Sequence, residues 1–126
     1  MQNRWFVISM TIAILMCAAT MLQADTPAGV SPKNTIVFNA PTVVGGTLLP
    51  AGEYAVLHEM NGAEHVMVFK EKGGQKAEAK AKCNLVPLAD GKAKQTEQKY
   101  TENAKNERVL VEMTFRGDTQ KHVLAQ

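Results

Sequence analysis

His58 and His65 are the residues whose type and spacing come closest to doing chemistry. Between them lies Asn61-Gly62, the strongest short signal for a type I′ hairpin turn. With Met60 and Ala63 flanking that turn, His58 opposes His65, Glu59 opposes Glu64, Leu57 opposes Val66, Val56 opposes Met67 and Tyr54 opposes Phe69. Opposed β-positions hold their Cβ atoms roughly 4.5–5.5 Å apart, so the two imidazoles reach a single ion. Met60 or Met67 adds a soft sulfur that suits copper. Two ligands do not complete a centre. A third has to come from His122, Glu59, Glu64 or elsewhere, and the spacing matches no established metal motif. In acid both rings charge and repel, which loosens this hairpin.

Other constellations are harder to assemble. After residue 24 the only serine is Ser31, so a serine nucleophile with its base and orienting acid has no source. Cys83 is the only cysteine in the same stretch and has no internal disulfide partner, which suits a small buried residue. No glycine-rich loop opens a helix to cradle phosphate. A net charge of +2 with 6% aromatic residues excludes a nucleic-acid surface, which needs clustered cations with aromatics between them. The expectation is therefore a protein that is not an enzyme and needs no cofactor. Arg116-Gly117-Asp118 spells an integrin-binding tripeptide, but Gly-Asp is also ordinary turn chemistry and is read as that.

The elements that position these residues are strands. Residues 1–24 read as a signal peptide forming an N-terminal signal helix: Arg4 supplies the positive start, Trp5 to Met21 is largely apolar, and Ala24 offers a small residue at the cut. An uncleaved anchor is the rival, because the run approaches the ~18 apolar residues that cross a bilayer. Met16 stands where a lipoprotein signal wants a small residue before Cys17. Residues 25–34, with Pro27, Gly29 and Pro32, read as a flexible tether, and 35–126 as one antiparallel β domain. Gly45-Gly46 and Leu49-Pro50-Ala51-Gly52 are turn signals between short apolar runs. The segment 89–107 is polar without an apolar stripe and reads as a loop of low order. Arg108 to Arg116 alternates, with Val109, Val111, Met113 and Phe115 on one side and Leu110, Glu112 and Thr114 on the other.

Gly73-Gly74 sets the next pairing, with Glu71 opposite Lys76 and Val68 opposite Ala79. Ala77, Ala79, Ala81 and Cys83 then continue the face of Ala55, Leu57, Val66 and Val68, taken as the inside. Tyr54, His58, His65, Met67 and Phe69 fall on the other face with Glu78, Lys80 and Lys82. That face is the candidate binding surface for a protein, peptide or glycan, and it separates Cys83 from the histidines. About seven strands with short turns favour an all-β antiparallel sandwich or small barrel.

Val44-Gly45-Gly46-Thr47-Leu48-Leu49-Pro50-Ala51-Gly52-Glu53-Tyr54 resembles the V-x-G-x-x-L-P-A-G-x-Y core of small, secreted, uncharacterised bacterial proteins that carry a leader and β-strands. It covers about a tenth of the chain. The resemblance implies a β-sandwich-like envelope or secreted protein and brings no catalytic residues with it. The reading is thus a periplasmic or secreted noncatalytic β domain that touches a membrane only through its leader. It acts by binding or structural association, and the alternative is a periplasmic copper or zinc protein using His58 and His65.

Overall fold

The structure is a computed structural model describing Gly29, Val30 and residues 32–126. The leader expected over 1–24 and the start of the tether lie outside the described residues. Nine strands form among the described residues: β1 Lys33–Phe38, β2 Thr42–Val44, β3 Thr47–Leu49, β4 Gly52–Asn61, β5 Glu64–Glu71, β6 Glu78–Pro87, β7 Glu97–Glu102, β8 Arg108–Thr114 and β9 Gln120–Leu124. They join in the order β1-β4-β5-β6-β9-β8-β2-β3, with β7 paired to β8. Every pairing is antiparallel except β2 with β8. The domain is all-β, with two strands more than the turn signals suggested. Order also starts earlier than Thr35: β1 begins at Lys33, Val30 is buried, and the Gly29 carbonyl accepts a hydrogen bond from Thr119 N at 2.9 Å.

The β4–β5 hairpin turns one residue later than its Asn-Gly signal. Asn61 pairs with Glu64 and Met60 with His65, so the two turn residues are Gly62 and Ala63. Gly62 has φ +64° while Ala63 keeps negative φ, the pattern of a II′ turn. Moving the turn by one residue shifts both strands equally, so each side chain keeps its expected face. His58 now opposes Met67, and His65 becomes its diagonal neighbour.

The next connection changes more. Gly73-Gly74 is not a two-residue turn; it sits inside a longer loop in which Glu71 N donates to Ala77 O at 2.8 Å. The Glu71 carboxylate accepts from Gly73 N at 2.8 Å and Lys76 N at 3.0 Å, and Lys76 takes φ +52°. The pairing that results is Phe69 with Ala79, Met67 with Ala81 and His65 with Cys83. This is one residue away from the expected register, and one residue turns every side chain of a strand to the other face. Ala79, Ala81 and Cys83 are interior as expected, but the face they join is that of Tyr54, His58, His65, Met67 and Phe69. The surface expected to bind a partner is therefore the core. On the face taken as the inside, Ala55, Leu57 and Val66 are half-buried and Val68 is buried.

Two further expectations change on β7 and β8. The 97–102 part of the polar segment is an edge strand, because its backbone pairs with β8 and Tyr100 lies half-buried under the Arg108 guanidinium, 4.1 Å from the ring centre. Lys99 pairs with Glu112 and Tyr100 with Leu110, which leaves Val111 unpaired in a β-bulge. The extra residue resets the alternation, so Leu110 joins Met113 and Phe115 in the core. Val109 is buried outside that cluster, and Val111 is half-buried.

The β2–β3 hairpin closes the interior from the far end. Val44 and Leu49 enter the core, and Gly45 at φ +57° passes so near β6 that a Cβ would stand 2.2 Å from the Lys80 carbonyl oxygen. Only glycine allows that approach. Around these sit Ile36, Phe38, Tyr54, Val56, Met67, Phe69, Leu110, Met113, Phe115 and Leu124.

Candidate metal centre

Four strands bring four chemistry-bearing side chains inward. His58 comes from β4, His65 from β5, Cys83 from β6 and His122 from β9. Cys83 stands opposite His65 on one side and, across β6–β9, diagonal to His122, which pairs with Leu85. In a flat sheet β4 and β9 would lie three spacings of about 4.8 Å apart. The His58 and His122 rings nevertheless stack at 4.7 Å between centroids, so the sheet curls hard about this point. His65 lies 5.1 Å from His58 and 5.3 Å from His122.

All three imidazoles are withdrawn from water: His58 and His65 are 6% exposed and His122 0%. One ring nitrogen from each falls within 4.8 Å of the others. Nitrogens on one tetrahedral zinc, each ~2.0–2.1 Å from the metal, stand about 3.3 Å apart, so small ring rotations close the set. Phe115 presents its edge to His58 and His122, with centroids at 5.9 and 5.6 Å, and walls that side with hydrocarbon.

Burial decides the protonation states. His122 is lowered to about 3, chiefly by desolvation and further by His58 and His65 beside it. Desolvation also lowers His65. Burial pushes the Cys83 thiol up to about 12. His65 and His122 are thus neutral at neutral pH, the form in which imidazole has a lone pair to give a metal. Cys83 Sγ lies 3.4 Å from His65 Nδ1 and 3.6 Å from His122 Nδ1. His65 Nε2 and His122 Nε2 are buried and make no hydrogen bond among the described residues.

A cleft of about 430 Å³ opens beside the cluster, lined by Met60, Glu64, His65, Lys82, Cys83 and Asn84 among others. It reaches His65 and Cys83 from outside. Of the soft sulfurs considered from sequence, Met60 is exposed at this cleft, and Met67 is fully buried opposite His58. Glu59 and Glu64 are exposed and stay outside the cluster.

The five residues read as a surface separate into two groups. Tyr54, Met67 and Phe69 are packing residues, and the Tyr54 hydroxyl donates to Pro50 O at 2.6 Å, tying the Leu49-Pro50-Ala51-Gly52 turn to β4. His58 and His65 belong to the cluster. From sequence alone His122 is one candidate among several for the third ligand, and the expected register puts Cys83 across the sheet from the histidines. A correct β5–β6 register would have found Cys83, whereas His122 also needs the β6–β9 pairing. Asp118 of the Arg-Gly-Asp tripeptide is buried in a turn closed by its own N–H to Phe115 O at 3.0 Å, and Gly117 has φ +87°.

Fold and cluster together define a class: an all-β domain whose interior holds three histidines able to coordinate a metal ion. No protein-family profile, curated protein or solved structure matches the chain.

Proposed function

We propose that this protein binds a late first-row transition metal, zinc or copper, through His58, His65 and His122, as a noncatalytic metal-handling protein exported to the periplasm or beyond. The observation that carries this reading is three buried imidazoles with ring nitrogens within 4.8 Å of one another. Packing alone gives a poor account of them. A buried polar group left without a partner costs about 1–3 kcal/mol, and both His65 Nε2 and His122 Nε2 are in that position. A bound ion gives the buried rings a partner that packing does not. Nitrogen donors suit zinc and copper better than magnesium or calcium, which prefer oxygen.

The export half of the reading rests on the sequence. Arg4, the apolar run and Ala24 have the form of a cleaved leader, and the resemblance over Val44 to Tyr54 runs to secreted proteins. We read the curled sheet as a sandwich or small barrel, with the centre inside it rather than on an edge.

Calorimetric titration of the metal-free protein with zinc, and separately with copper, tests the proposal. The expected result is one ion per chain, with ring resonances of all three histidines shifting together. His122→Asn should weaken binding by more than about tenfold, since even an outer-shell partner of a metal ligand is worth ~10–100-fold. Histidine resonances that stay put under both metals would reject the reading.

A further inference from the structure

The three-histidine reading leaves the fourth position of the centre open, and Cys83 stands beside it. We propose that Cys83 is a metal ligand, so that the site is a His3Cys donor set for a thiophilic ion, zinc or copper(I). The inference rests on the proposed metal centre and adds its fourth bond.

Distance carries the argument. With zinc–sulfur at about 2.3 Å and zinc–nitrogen at ~2.0–2.1 Å, the sulfur and nitrogen corners of one tetrahedron are about 3.6 Å apart. Cys83 Sγ stands 3.4 Å from His65 Nδ1 and 3.6 Å from His122 Nδ1. Two edges of the coordination polyhedron are therefore already at bonding size before any ion arrives. The strands explain this spacing: β6 lies between β5 and β9, so its inward cysteine has one histidine directly opposite and another on the diagonal.

The environment agrees with the geometry. His65 and His122 are both more than nine-tenths buried, and each has its Nδ1 beside the Cys83 sulfur. The cleft lined by His65 and Cys83 approaches the cluster from outside. When the metal binds, the sulfur–metal bond forms as the sulfur–hydrogen bond breaks, and the proton leaves to water through this cleft. No oxidant or reductant takes part. A thiolate among the ligands turns the site away from magnesium, calcium and manganese, whose preference is for oxygen.

Cobalt(II) is the probe, because its visible bands report coordination and its near-ultraviolet sulfur-to-metal charge-transfer band reports thiolate ligation. Wild-type protein loaded with cobalt should show both. Cys83→Ser and Cys83→Ala, each checked for a native circular dichroism spectrum, should keep visible bands from the histidines and lose the charge-transfer band. Zinc should displace cobalt from the variants at an affinity more than about tenfold weaker than from wild type. Wild-type visible bands without charge transfer would overturn the proposal while leaving the three-histidine centre standing. So would a charge-transfer band that survives in the variants, since it would not come from Cys83. Failure of wild type to bind either cobalt or zinc would remove the centre itself, and this inference with it.

Discussion

His122 shows how much one side chain's surroundings decide. In the unfolded chain its ring titrates near 6.5; in the fold, desolvation and its two imidazole neighbours lower that to about 3. Between those values the unfolded state binds the extra proton and the native state does not. The metal-free protein therefore loses stability as pH falls from about 6.5 towards about 3, by up to ~1.4 kcal/mol per pH unit from this group. His65, lowered by its own burial, acts in the same direction. Urea midpoints taken at neutral pH and at two acid values should fall along this slope. His122→Leu keeps the volume but cannot titrate, and should flatten it; an unchanged slope would show that the acid sensitivity arises elsewhere.

At the scale of elements, the connections decide which faces meet. The β2–β3 hairpin contains two glycines with positive φ in different surroundings. Gly45 would push a Cβ to 2.2 Å from the Lys80 carbonyl oxygen, whereas Gly46 at φ +84° has nothing within 4 Å. Gly46→Ala should cost only the left-handed backbone penalty, roughly 1–2 kcal/mol. Gly45→Ala should cost at least ~2 kcal/mol more, because the hairpin has to lift from β6 and open the core. Denaturant midpoints of the two variants, measured side by side, check the difference. Arg108 plays a comparable part for β7. Its guanidinium donates to Thr42 Oγ1 at 2.8 and 3.0 Å, to Asn39 Oδ1 at 2.8 Å and to Ala40 O at 3.2 Å, while covering Tyr100. Arg108→Lys keeps the charge but loses the planar fork. It should speed hydrogen exchange of the β7 amides more than those of β4 or β5.

For the whole molecule, the cluster ties β4, β5, β6 and β9 together across the interior, so ligand binding and global stability are linked. An ion held only by the folded state at a hundred times its Kd adds about 2.7 kcal/mol. For a domain of this size that raises Tm by on the order of 10 °C. Zinc should produce such a shift in a thermal scan, a chelator should reverse it, and His58→Asn or His122→Asn should abolish it. A Tm indifferent to zinc in wild type would mean that the interior does not take up the ion. The curled sheet that permits this linkage is not built from consecutive hairpins alone. Its β2–β8 pairing joins residues Thr42 and Val43 to Arg108 and Val109, far apart along the chain.

The local pattern of residues was enough to determine that the domain is built of strands, that a hairpin turns near Asn61-Gly62, that Tyr54, His58, His65, Met67 and Phe69 share one face, and that the alanine row is interior. Each depends on period-two alternation or a turn glycine, which neighbours in sequence decide. Tertiary structure alone decided which faces meet, because a strand's period of two leaves its facing open to a single-residue slip. The Glu71 carboxylate, by holding Gly73 and Lys76 in a longer loop, set that slip for β6 and carried Cys83 to the side of the histidines. The bulge at Val111 did the same for Leu110, and the curl of the sheet brought His122 against His58 from three strands away. The bulge and the curl arise from contacts between segments distant in the chain, and the Glu71 loop, though local, is hidden by a Gly-Gly pair that reads as a tight turn.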